Sequence, residues 1–120
     1  MNARITGLLT GLFLILLATG TPLQAKSLYV IADINANPTP IRAYDLIGST
    51  VVYQATYSIT RYGGGAVGIA IDSENEFLFI TYEISNTIQV VNAKTMTGAG
   101  TVTASGALNL AGIAYDHDAN

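Results

Sequence analysis

Alternating acidic and amide side chains form the segment of this sequence that most resembles a metal-binding motif. DINAN places Asp33, Asn35 and Asn37 at the spacing with which the first half of an EF-hand loop holds Ca²⁺. The sixth position of that motif requires glycine and is Pro38 here, and the twelfth requires glutamate and is Tyr44. The segment therefore fails as an EF-hand. We interpret it as a hairpin loop, with a weak indication of Ca²⁺ binding and no other cofactor.

A second acidic segment, DSENE, brings Asp72, Glu74 and Glu76 close together. Paired carboxylates can act as general acid and base when one of them is withdrawn from water. These three belong to a polar stretch without a predicted pocket, so we expect a solvated turn. DHDAN, at 116–120, repeats the spacing of DINAN with Asp116, Asp118 and Asn120.

Other catalytic patterns are missing from the sequence. His117 is the only histidine, there is no cysteine, and no serine lies in a G-x-S-x-G motif. The three glycines at 63–65 are not followed by the Lys-Ser/Thr pair of a phosphate-binding loop, so we assign them to a sharp chain turn. These absences favour a protein that is not an enzyme.

The N-terminal segment has the organisation of a secretory signal peptide. Arg4 precedes an uncharged apolar run over 5–18, and Gly20, Pro22 and the small Ala25 follow it. The run is shorter than the ~20 residues that span a bilayer. We therefore predict a signal peptide at 1–25 and a secreted, periplasmic or extracellular mature chain that has no membrane association after cleavage.

Composition narrows the class of partner. Loss of Arg4 with the signal peptide changes the formal net charge from −3 to about −4, and the remaining four basic residues are scattered. Nucleic-acid binding requires clustered positive charge and is not expected. Half of the residues are hydrophobic and 11% are charged, which predicts a packed core that, without cysteine, has no disulfide framework.

Short apolar phrases recur in the same order along the chain. GGAVGIAID at 64–72 returns as LNLAGIAYD at 108–116, which is 44 residues later. LYVIAD at 28–33 resembles LFITYE at 78–83, and IRAYDL at 41–46 resembles IQVVNA at 88–93. A period of this length indicates stacked or radial repeats.

Four β-rich runs separated by turn residues predict strands at 67–72, 77–82, 87–93 and 101–104. The first two runs are apolar on both faces, the third alternates, and the last is mostly polar. This gradient predicts that Ile69 and Ile71 are buried and that Gln89 is solvated. It is typical of four-stranded blades that radiate from an axis.

The order GIAID, LFIT, IQVVNA and GIAYD resembles the blades of NHL-type and YVTN-type β-propellers. The resemblance implies an all-β partial propeller over 26–120, in which 28–58 holds three strands of one blade, 66–104 a full blade and 110–116 the start of a third. Because known propellers close with roughly 4–8 blades, we interpret the sequence as truncated, with assembly from several copies as the alternative. A small β-sandwich or meander has similar strand spacing and is the alternative fold.

Four loops lie on one face in the blade order that the resemblance implies, namely DINANPTP, RYGGG, EISN and SGALN. They offer hydrogen-bonding and stacking groups for a polar ligand or a protein partner, namely Arg61, Tyr62, Asp33, Asn35, Glu83 and Asn86. We therefore expect an exported, non-catalytic binding or scaffolding module that self-associates through unpaired strands. The alternative is a fragment of a propeller enzyme of lactonase, lyase or quinoprotein type whose catalytic residues lie in other blades.

Overall fold

The computed structural model describes residues 26–118, and the predicted signal peptide lies outside this range. In it the chain forms seven β-strands and no helix, which confirms the all-β prediction for these residues. The strands are β1 (Lys26–Ile31), β2 (Thr39–Ile47), β3 (Thr50–Ile59), β4 (Ala66–Asp72), β5 (Phe77–Tyr82), β6 (Thr87–Asn92) and β7 (Thr97–Thr103).

The strands make two antiparallel sheets in which chain neighbours are also sheet neighbours. The first sheet has the order β1-β2-β3 and the second has the order β4-β5-β6-β7. In the first sheet, Gly48 and Ser49 connect β2 to β3, and Gly48 has the positive φ of 62° that glycine adopts without strain. A bulge next to Ala43 shifts the register of this hairpin.

Two connections of the second sheet begin in the same way. After β4, the Asp72 carboxylate accepts the backbone N–H groups of Glu74 and Asn75, both at 3.1 Å. After β6, Asn92 Oδ1 accepts those of Lys94 and Thr95, both at 2.9 Å. Each strand therefore ends at an Asx turn, and the residue before the next strand has positive φ, 58° at Glu76 and 55° at Met96. The turn predicted at DSENE is confirmed.

The core lies between the facing sides of the two sheets. Its centre consists of side chains with no exposed surface, namely Ile41, Ala66, Leu78, Ile80, Tyr82 and Val91. Cross-strand pairing explains why β5 and β6 share this face, because Leu78 is opposite Val91 and Ile80 is opposite Gln89.

The same register overturns one prediction from the polarity gradient. Gln89 is only 3% exposed and its Oε1 accepts a hydrogen bond from the Tyr82 hydroxyl, whereas Ile71 is 36% exposed. Pairing with Ile80 places Gln89 on the core face although its side chain is polar. The outer end of the gradient is confirmed, since every residue of β7 is exposed.

The predicted strands at 67–72, 77–82 and 87–93 match β4, β5 and β6 to within one residue at each end, and the fourth begins earlier, at Thr97. Residues 110–116, predicted as a further strand, form no ladder with any strand between residues 26 and 118. They pack across the second sheet on the side opposite the core. The Tyr115 ring stacks on Phe79 with centroids 5.8 Å apart, and the Thr81 hydroxyl donates to Ala111 O.

Candidate functional site

The four loops expected on one face do meet at one end of the two sheets. Gly64 N donates to Glu83 O at 2.7 Å, and Glu83 N donates to Gly65 O at 2.9 Å. Ala104 N donates to Asn86 O at 2.7 Å, which joins the loop after β7 to the β5–β6 loop. We call this surface the loop end, made of residues 32–38, 60–65, 83–86 and 104–110.

Arg61 holds the loop end together through backbone carbonyls. Its Nη1 donates to Asn35 O at 3.0 Å, and its Nε donates to Gly63 O at 2.9 Å and also to Gly64 O. A Cβ at Gly64 would lie 2.6 Å from Glu83 O, so only glycine permits this approach. The glycines therefore have a structural role, and Arg61 positions the loops through backbone carbonyls.

The other predicted site residues lie at the surface of the loop end, around Arg61. Asp33 Oδ1 accepts Asn35 N at 2.9 Å within the exposed β1–β2 loop. Tyr62 is 44% exposed, and Glu83 and Asn86 are exposed as well. The loop end thus combines hydrogen-bond acceptors with one aromatic ring, a chemistry that suits a polar ligand or a protein surface.

A cleft of about 910 Å³ opens between the two sheets at the opposite end. Two of its tyrosines, Tyr29 and Tyr57, lie on the face of the first sheet that is turned toward the second sheet. Tyr29 is opposite Ala43 and Tyr57 is opposite Ile41, and Ala43 and Ile41 share this face because they are two residues apart in β2. The Tyr29 hydroxyl donates to Ala93 O at 3.3 Å and so spans the gap between the sheets. The polar lining is Ser27, Asp45, Gln54, Ser73, Glu76 and Lys94.

The sequence-based interpretation missed this cleft. A visible indication was the concentration of four tyrosines, at 29, 44, 53 and 57, within one three-stranded sheet. That pattern did not reveal that Tyr29 and Tyr57 share a face. Their alignment depends on two registers, that of β1 with β2 and that of β2 with β3, and neither can be read from the sequence. Half of the polar lining, namely Ser73, Glu76 and Lys94, comes from turns of the second sheet that lie far from these tyrosines in the sequence.

Among residues 26–118, three groups have shifted pKa values, and none of them lines the cleft. Burial raises the pKa of Tyr82 to about 12. The hydrogen bond from the Asn75 side chain lowers the pKa of Asp72, and the hydrogen bond with Asp72 raises the pKa of Tyr115. These shifts follow from packing and turn formation and do not mark an acid–base pair in the cleft.

Within residues 26–118, no cluster of three His, Cys, Asp or Glu side chains could hold a metal ion. Over the same range, no helix is long and apolar enough to span a bilayer. The chain matches no protein-family model, no curated protein and no solved structure. Its function is therefore inferred from the chemistry of the cleft and of the loop end.

Proposed function

We propose that this chain is an exported module of propeller-like blades that acts by binding or scaffolding and not by catalysis. The cleft between the sheets is the observation that carries the proposal. It is a concave site large enough for a small ligand, and its walls combine tyrosine rings with six polar side chains. The four-stranded antiparallel sheet and the recurring strand order support the blade interpretation.

The chemistry of the cleft favours a carbohydrate as the ligand. Tyrosine offers a flat apolar ring, which suits the C–H face of a pyranose, together with a hydroxyl that can donate or accept a hydrogen bond. Asp45, Gln54 and Glu76 supply acceptors for sugar hydroxyls, and Lys94 is the single cation of the lining. Two carboxylates against one ammonium group do not suit a phosphorylated or strongly anionic ligand.

The proposal is tested by titrating the secreted full chain with cellotetraose and with chitotetraose. Because the sequence has seven tyrosines and no tryptophan, tyrosine fluorescence reports directly on the rings, and calorimetry gives the stoichiometry. We expect Tyr57→Ala to abolish binding by removing an exposed cleft ring. Tyr62→Ala removes a tyrosine of comparable exposure at the loop end and serves as the matched control.

The two variants also separate the two surfaces. Binding that is lost in Tyr62→Ala and retained in Tyr57→Ala would move the ligand site to the loop end and contradict the cleft assignment. A chain that binds neither oligosaccharide would overturn the carbohydrate assignment. The mass of the secreted product reports in the same preparation whether cleavage follows Ala25.

A further inference from the structure

Strands β1 and β5 resemble one another in sequence but differ in their neighbours. LYVIAD of the first sheet corresponds to LFITYE of the second, so that Leu28 matches Leu78 and Val30 matches Ile80. In the second sheet β5 is paired on both sides, by β4 and by β6. Among residues 26–118, β1 is paired by β2 alone, and its other edge carries no ladder. The first sheet therefore lacks the equivalent of β4.

Residues 110–116 resemble β4 in sequence, but within the described range no strand pairs with them as β5 pairs with β4. The likeness extends beyond sequence to the turn that follows. Asp118 N donates to Asp116 Oδ1 at 3.0 Å, just as Glu74 N donates to Asp72 Oδ1 at 3.1 Å, 44 residues earlier. The segment thus ends in the Asx turn that ends β4.

The segment also packs as β4 does. Ile69 and Ile71 are directed toward the first sheet, where they border a small cavity of about 190 Å³ beside β1. The counterpart of Ile71 is Tyr115, which is stacked on Phe79 of the second sheet. A Cβ at Gly68 would lie 2.8 Å from Ala111 O, so this glycine allows the segment to approach the sheet closely. Each segment therefore rests on the sheet that precedes it in the chain.

We propose that residues 110–116 of one copy pair with β1 of a second copy, as β4 pairs with β5. Transfer of the observed antiparallel register places Ile113 opposite Val30 and Tyr115 opposite Leu28. The second copy's first sheet then becomes four-stranded and lies on the outer side of the first copy's second sheet. The inference does not depend on what the cleft binds.

Both faces that this arrangement joins expose apolar side chains beyond the part that residues 110–116 cover. On the first sheet, Leu28 and Val30 are 44% and 39% exposed. Tyr53 lies on the same face, because Leu28 is opposite Tyr44 and Tyr44 is opposite Tyr53, and it is 55% exposed. The outer side of the second sheet carries Ile88 and Val90, with Val102 opposite Ile88 at 51% exposure. Contiguous exposed apolar surface of this kind marks an interaction site. Because two different faces meet, the contact is head-to-tail.

The register makes the proposal testable with engineered disulfides, since the natural chain contains no cysteine. Singly substituted, secreted full chains are mixed pairwise under mild oxidation. We expect the in-register pairs, Val30→Cys with Ile113→Cys and Leu28→Cys with Tyr115→Cys, to form mixed dimers. The diagonal pairs, Val30→Cys with Tyr115→Cys and Leu28→Cys with Ile113→Cys, have Cβ atoms roughly 7 Å apart in such a ladder and should react about tenfold less.

Light scattering on the unmodified chain gives the independent measurement. We expect dimers or larger species that dissociate on dilution and in Ile113→Asp. Leu108→Asp, at a position that is 87% exposed and precedes the segment, should associate normally. Far-UV circular dichroism confirms that both variants retain the two sheets. A monomer at all concentrations, or equal cross-linking of the in-register and diagonal pairs, would overturn the proposal.

Discussion

Strands β1 and β5 have similar sequences, yet one is half exposed and the other is buried. Leu78, Ile80 and Tyr82 of β5 have no exposed surface, whereas Leu28 and Val30 of β1 are 44% and 39% exposed. The residue types do not account for this difference, since leucine and β-branched residues occupy the corresponding positions. Their positions do, because β5 is central in its sheet and turns Leu78 and Ile80 toward the first sheet, whereas β1 is at an edge and turns Leu28 and Val30 away from the second sheet.

The comparison shows that burial in this molecule depends on two kinds of neighbour. Within a sheet, β4 and β6 flank β5 and satisfy its backbone groups on both sides. Between sheets, the first sheet covers only one side of the second, so Leu78 and Ile80 are enclosed while Ile88 and Val90 on the other side are half-buried. Edge strands and uncovered faces are where further pairing takes place.

The largest expected effect comes from introducing a charge at corresponding positions of the two strands. Ile80→Asp buries an unpaired carboxylate in the core and should destabilise the fold by about 4 kcal/mol or more. Val30→Asp leaves the charge in contact with water and should cost about 1 kcal/mol or less. Urea unfolding followed by far-UV circular dichroism, at low protein concentration so that association does not contribute, measures both. Equal losses would mean that β1 is as enclosed as β5.

A smaller effect is expected from removal of one tyrosine hydroxyl from each sheet. Tyr82→Phe leaves Gln89 Oε1 buried without its donor, which should reduce the free energy of unfolding by about 1–3 kcal/mol. Tyr53→Phe removes an exposed hydroxyl that is 3.0 Å from Thr56 Oγ1, and the change should stay within about 0.5 kcal/mol. Chemical denaturation at neutral pH gives both values. A neutral Tyr82→Phe variant would show that Gln89 finds another donor.

The last expected effect concerns alkaline pH and the same pair of tyrosines. Burial raises the pKa of Tyr82 to about 12 from a model-peptide value of 10.0. Between these values the unfolded chain releases the Tyr82 proton and the folded chain retains it. The contribution of Tyr82 protonation to stability is therefore complete below pH 10 and declines as the pH rises toward 12. In Tyr82→Phe this part of the decline should disappear, whereas Tyr53→Phe should keep it. Denaturation midpoints measured from pH 9 to pH 12 provide the test, and identical slopes in both variants would contradict it.

Local features were predictable because their causes lie within a few residues. The turns after Asp72 and Asp33 follow from the ability of aspartate to accept nearby backbone N–H groups, and both occur. Strand positions followed from β-rich runs between such turns. The start of β7 was predicted too late because Gly98 and Gly100 are poor strand formers, and only pairing with β6 draws them into the ladder.

The candidate sites were predictable only in part. Because consecutive strands run antiparallel, alternate loops meet at one end, and the predicted loop residues do surround Arg61. The engagement of Arg61 by three carbonyl groups was not visible in the sequence, since it depends on the close approach that Gly64 permits. The cleft escaped prediction for the same reason, as its lining comes from both sheets.

The amino-acid sequence by itself determined the all-β class, the turns and the order of the strands, because propensity and hydrogen bonding to adjacent backbone groups act over short distances. Only the tertiary structure decided which side of each strand is covered. Gln89 is enclosed because it lies opposite Ile80, and Ile71 is partly exposed because the first sheet does not extend over it fully. A side chain is buried only where a second surface covers it. The pattern of apolar residues within one strand describes the first surface and not the one that covers it.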